Sequence, residues 1–147
     1  MRTITHTTTL RGAPEQVFAL LSHVPNFVEL CDRVEAIEPL GNERYRWTVR
    51  AAGMRLHFEV EVCAAKPPER FAWRSIRGVK NHGSYRLQRI GPGHTRVDFE
   101  LHYRLGNPLL EAAVGRAAGS LVEQVSGQLM ERVQARLDAE TGGRPAR

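Results

Sequence analysis

Cross-links and metal knuckles find little material in this sequence. Its 147 residues contain only two cysteines, Cys31 and Cys63, too far apart for a C-x-x-C pair. A disulfide framework, a zinc knuckle and a redox dithiol are therefore all excluded, and free thiols are expected. Lysine is almost missing, since all but Lys66 and Lys80 of the 21 basic residues are arginine. No apolar run approaches the roughly 18 residues of a membrane span, and the opening Met1–His6 stretch lacks the apolar core of a signal peptide. A soluble, cytoplasmic protein is the expectation. No G-x-S-x-G surrounds Ser75, Ser84 or Ser120, which argues against a serine hydrolase, and Gly91-Pro92-Gly93 reads as a hairpin turn rather than a phosphate cradle.

What is present describes one folded unit. Hydrophobic residues make up 41% and charged residues 25% of the chain, the balance of a domain that buries its own core. The formal charge of +5 is modest for a nucleic-acid binder, so no DNA partner is expected. Residues 3–10 alternate and begin with a threonine-rich strand. Pro14 then opens a short helix carrying Val17, Phe18, Leu20 and Leu21, and Asn26–Leu30 forms a second. From 34 to 103 the chain alternates again in six runs: 34–40, 45–50, 54–62, 71–76, 84–90 and 97–103. Turn residues separate them, as in an antiparallel meander. After Gly106 the period changes to three or four, through Leu110, Val114, Ala118, Leu121, Val125, Leu129, Val133 and Leu137. One long helix is predicted, with Asn107 as N-cap and Pro108 at its first position. The domain is taken as 1–137 and the remaining 138–147 as a disordered tail.

That order predicts an α+β fold in which one curved seven-stranded antiparallel sheet wraps the long C-terminal helix. Particular residues sharpen it: Ala13-Pro14-Glu15-Gln16-Val17-Phe18-Ala19-Leu20-Leu21, Val24-Pro25-Asn26-Phe27, Val34-Glu35, Trp73-Arg74-Ser75 with Gly78, and Gly93-His94-Thr95-Arg96-Val97. In this order and spacing, residues 2–137 resemble the START-like, helix-grip or SRPBCC superfamily of polyketide cyclase/dehydrase and coenzyme Q-binding proteins. Relatives often carry prolines where this chain has Val28 and Asp32. The resemblance implies an internal apolar cavity between sheet and C-terminal helix, used in relatives for lipids, sterols, quinones or polyketide chains. It fixes no ligand, because the fold hosts carriers and enzymes alike.

Placing the apolar face of each strand on the concave side assigns Tyr45, Trp47, Leu56, Phe58, Trp73, Ser75, Tyr85, Phe99 and Tyr103 to the cavity wall. Phe27 and Leu30 from the second short helix, with Val114, Leu121 and Val125 from the long one, close it. Tryptophan and tyrosine in such a wall need partners for their N–H and O–H groups, which a ligand or water can supply. Cyclases of this superfamily carry a tyrosine just after the second short helix and an arginine on a middle strand's pocket face. Here the matching position is Val34, and the strand 54–62 turns Arg55, His57, Glu59 and Glu61 outward, so both groups are missing.

The six histidines lack metal-ligand spacing, so no metal and no cofactor are expected; His6 alone shares a face with apolar residues. The Arg77–Gly83 stretch is expected to be a basic loop at the cavity rim. Outward Arg46, Arg50, Arg55, Arg74, Arg86, Arg89 and Arg96 share their face with Glu59, Glu61, Asp98 and Glu100, which favours cross-strand ion pairing over a nucleic-acid stripe. The leading expectation is a non-catalytic binder or carrier of a hydrophobic small molecule. A polyketide cyclase/dehydrase is the alternative, and an RNA- or ribosome-binding module is the second. Membrane contact is expected to be transient at most, and homodimerisation stays open.

Overall fold

A computed structural model describes the backbone of residues 2–51 and 53–142, and their side chains except at 51, 110, 114–124 and 141–142. The chain runs β1 (Arg2–Arg11), α1 (Pro14–Ser22), a 3-10 turn (Val24–Asn26) and α2 (Phe27–Leu30). There follow β2 (Val34–Gly41), β3 (Arg44–Ala51), β4 (Met54–Lys66), β5 (Arg70–Gly78), β6 (Lys80–Gly91), β7 (His94–Arg104) and α3 (Pro108–Gly142). The seven strands form one sheet ordered β1-β7-β6-β5-β4-β3-β2, antiparallel at every pairing. Consecutive strands from β2 to β7 are neighbours, so short turns suffice until β1 closes against β7. The expected α+β helix-grip architecture is the one observed.

Local chemistry accounts for the helix boundaries. The Gln16 side chain accepts a hydrogen bond from the Ala13 N–H at 3.0 Å, satisfying a donor that Ala13 itself cannot cap. Asn107 Oδ1 accepts from the Leu109 N–H at 2.9 Å, the N-cap contact expected of that residue. The Glu111 carboxylate adds bonds from the Leu105 N–H and Arg2 Nε, both at 3.0 Å, tying the start of α3 to β1. α3 continues to Gly142, so residues 138–142, placed in a disordered tail by the sequence reading, are helical. Residues 143–147 lie outside the described residues.

The solid part of the core sits where α1 crosses the sheet. Val17, Phe18 and Leu21 of α1 meet Leu129, Val133 and Leu137 of α3 over Leu10, Leu87 and Val97 of the sheet. Leu137 also packs over Gly12, where an added Cβ would lie 3.2 Å from its Cδ1.

The outer face of the sheet carries the expected cross-strand pairs. Arg46 meets Glu38 and Glu59, Arg74 meets Glu61 and Arg55 meets Glu35, while Arg96 meets Asp98 two residues along its own strand. Arg89 instead reaches Glu15 of α1. The expected basic loop over 77–83 is a correction: β5 runs to Gly78 and β6 begins at Lys80, so only Val79 separates them. Gly78 makes this possible with φ +81°, and a Cβ there would stand 2.4 Å from the His57 carbonyl oxygen.

Candidate functional site: an apolar cavity between sheet and helix

A cavity of about 300 Å³ opens between the concave face of β3–β7, the α2–β2 connection and α3. Its wall is apolar because every second residue of these strands points inward: Trp47 and Val49, then Leu56, Phe58, Val60 and Val62. The register places Trp47 directly opposite Phe58, and their rings stack with centroids 5.8 Å apart. Phe27 reaches the same wall from α2, 5.8 Å from Trp47 and 6.2 Å from Tyr85. Tyr85 is the hub, with Trp73 at 5.5 Å and Phe99 at 5.4 Å.

Of the residues placed in the wall from sequence, Phe27, Trp47, Leu56, Phe58, Trp73, Tyr85, Phe99, Tyr103 and Val125 are brought together around this cavity. Leu30 lies instead in the closed core and is 1% exposed. Tyr45 is partly buried against that core, away from the cavity wall. Ser75 is bound into the β5–β6 hairpin, its Oγ accepting from the Asn81 N–H at 3.0 Å. The side chains of Val114 and Leu121 lie outside the described residues. His6 is half-buried but does not line the cavity. Val79 and Asn81, from the stretch expected at the cavity rim, line it, and so do Cys31, Arg33 and Ser126, which were not assigned to it from sequence. Arg33 follows the α2 stop, and a signal was present in that position: an arginine beside Val34, where a strand begins.

Polar groups are few here and unequally satisfied. The Trp73 indole N–H donates to Asn81 Oδ1 at 3.1 Å, and Asn81 is itself held by Nδ2 donating to the Val79 carbonyl at 2.9 Å. The Trp47 indole N–H is buried and has no acceptor, the one such side-chain atom among the described residues. Burial pushes the Tyr85 hydroxyl far above the usual phenol range, and raises Tyr103 in the same direction. Burial likewise raises the Cys31 thiol. All three stay protonated at neutral pH. No carboxylate and no imidazole lines the cavity among the described residues, and these residues contain no cluster of three metal-ligating side chains.

The mouth is polar. Arg50 N–H donates to the Arg33 carbonyl at 2.7 Å, which sets these two arginines side by side at the end of the β2–β3 ladder. There the cavity adjoins a depression lined by Asp32, Arg33, Arg50 and Gln128. Asp32 accepts from Arg132 at 2.8 Å and Gln128 at 2.9 Å, linking the α2–β2 connection to α3. The Arg132 bond, followed by that of Gln128, holds the Asp32 carboxyl below the usual carboxylate range. On the opposite face of the sheet, a second groove is lined by Arg70, Arg74, Arg77, Lys80, His82 and Arg86 among others. The rings of His82 and His102 stack there at 4.6 Å.

An open antiparallel sheet gripping a C-terminal helix over an apolar cavity defines the START-like helix-grip class. The family described as "Polyketide cyclase / dehydrase and lipid transport" matches residues 1–138, and the chain belongs to it. An uncharacterized 17.2 kDa protein of Streptomyces lincolnensis is 26% identical over 121 residues, 80% of this chain and 79% of that protein. Among solved structures, the Zhui aromatase/cyclase from Streptomyces sp. R1128 superposes with TM-score 0.76 at 17% identity, covering 95% of both chains. A START superfamily protein from Mycobacterium smegmatis gives 0.73 at 16% identity, over 90% of this chain and 97% of that one. At these identities the two structures testify to the fold. No described helix is long and apolar enough to cross a membrane.

Proposed function

We propose that this protein binds a hydrophobic small molecule in the cavity and releases it intact. The observation that carries this reading is the buried Trp47 N–H, without an acceptor in a wall that is mostly apolar. An orphaned donor in such a place costs about 1–3 kcal/mol, which a ligand bearing an oxygen acceptor recovers. Membership of a family that includes lipid transport supports the same reading.

Cyclisation, the activity named for the Zhui relative, is the second reading, and the Tyr85 hydroxyl favours it as a donor to a developing oxyanion. Carriage is preferred because the described lining residues offer no base: a phenol pushed up by burial donates a hydrogen bond but does not abstract a proton at neutral pH. Native mass spectrometry of protein isolated from its source cells, followed by organic extraction, separates these. A stoichiometric apolar ligand recovered unchanged after incubation is the expected result; conversion of that ligand on incubation would establish turnover instead.

A further inference from the structure

Every polar group that the cavity leaves unmatched can donate a hydrogen bond, and the group at its mouth carries a positive charge. The Trp47 N–H has no acceptor. Arg33 lines both the cavity and the polar depression, is half-buried, and forms no ion pair among the described residues. The neighbouring carboxylates are committed elsewhere: Asp32 to Arg132 and Gln128, and Glu35 to Arg50 at 3.2 Å and Arg55 at 3.0 Å. A guanidinium cannot shed its proton, so when partly buried it favours a counter-ion. The outer arginines of the sheet obtain theirs from Glu38, Glu59, Glu61 and Asp98. None of the described carboxylates is paired with Arg33.

Size narrows the choice of ligand. At roughly 30 Å³ per water-sized group, a cavity of about 300 Å³ holds about ten such groups. A ten-carbon chain or a two-ring body fits.

We infer that the cavity takes an amphipathic carboxylic acid, its apolar body among Trp47, Phe58, Tyr85 and Phe99 and its carboxylate at Arg33, with Arg50 alongside. This rests on the binding reading above and names the chemical class of its ligand. Charge-assisted pairing at the mouth sets the preference for the acid over a neutral molecule of equal length, while the apolar wall serves both.

The experiment is a pair of titrations at pH 7.5 and low salt, followed by tryptophan fluorescence and calorimetry, with decanoate and 1-decanol as probes below their aggregation limits. Wild-type protein is expected to bind decanoate at least about tenfold tighter than decanol. Arg33→Gln should abolish this preference and leave decanol affinity within about twofold of wild type, and Arg33→Lys should retain part of it. Circular dichroism establishes that both variants are folded. Equal wild-type affinities for the two probes, or a preference that survives in Arg33→Gln, would overturn the carboxylate assignment while the cavity reading stands. If neither probe binds up to its solubility limit, the cavity reading falls and the carboxylate assignment falls with it.

Discussion

Trp47 and Trp73 face the same cavity with opposite hydrogen-bonding fates: the Trp73 N–H donates to Asn81 Oδ1 at 3.1 Å, and the Trp47 N–H has no acceptor. One indole is part of the scaffold. The other is available to a ligand, and the contrast yields separate expectations for the two sides of the wall.

Trp47→Phe keeps an aromatic ring over Phe58 and removes the orphaned donor. Lost packing and relieved burial oppose one another, so urea denaturation should show stability within about 1 kcal/mol of wild type. Affinity for an oxygen-bearing ligand should fall roughly five- to tenfold. Unchanged affinity would mean that the indole N–H serves no ligand.

Asn81→Ala strikes the scaffold side. Asn81 is 6% exposed, and its side chain accepts from Trp73 and donates to the Val79 carbonyl. Its removal leaves both partners unmatched in a closed setting, which costs about 1–3 kcal/mol. The check is the urea midpoint at constant slope; a wild-type midpoint would show that water replaces the amide without loss.

Gly83→Ala tests how closely the sheet approaches Trp73. A Cβ on Gly83 would stand 2.5 Å from Trp73 Cζ2 and 2.6 Å from the Glu100 carbonyl oxygen. The backbone oxygen leaves little room to yield, so the variant should lose about 1–3 kcal/mol of stability and displace the indole from the wall. Tryptophan emission should shift in the variant before any ligand is added. A stable variant with native emission would contradict the contact.

Thiol chemistry reads the cavity directly. Cys63 is exposed, while Cys31 is buried, lines the cavity and has its thiol pushed up by that burial. At pH 8 one equivalent of a thiol reagent should react fast and the second slowly, and bound ligand should slow the second further. The folded protein retains the Cys31 and Tyr85 protons when the unfolded chain releases them. Stability is therefore full below the ordinary thiol range and falls as pH rises through the thiol and phenol ranges. Cys31→Ala should remove the thiol part of that alkaline decline. A melting temperature that holds flat to pH 10.5 would contradict both assignments.

The element order was legible in the chain because each signal was local: alternation in β1–β7, Pro14 and Pro108 at helix starts, and a three-to-four residue period after Gly106. Helix ends were less so. Residues 138–142 are helical although Leu137 closes the apolar stripe, since α3 continues past its last buried contact. The stretch 77–83 read as a loop because it is basic and glycine-flanked. In the structure Gly78 turns the chain within a single intervening residue, and a Cβ there would crowd the His57 carbonyl, a closeness that strand pairing creates.

The sequence by itself marked the alternation that gives each strand an apolar side, because side-chain direction alternates with period two and needs no knowledge of neighbours. Tertiary structure alone decided which inward residues meet the cavity and which close the core. Leu30 and Phe27 share one short helix, yet Leu30 is sealed in the core while Phe27 lines the wall. It also decided that Trp73 finds Asn81 and that, among the described residues, Trp47 finds no acceptor and Arg33 no carboxylate. Hydrogen bonds and ion pairs join residues far apart in the chain, and their presence depends on distances set only when sheet, α2 and α3 come together.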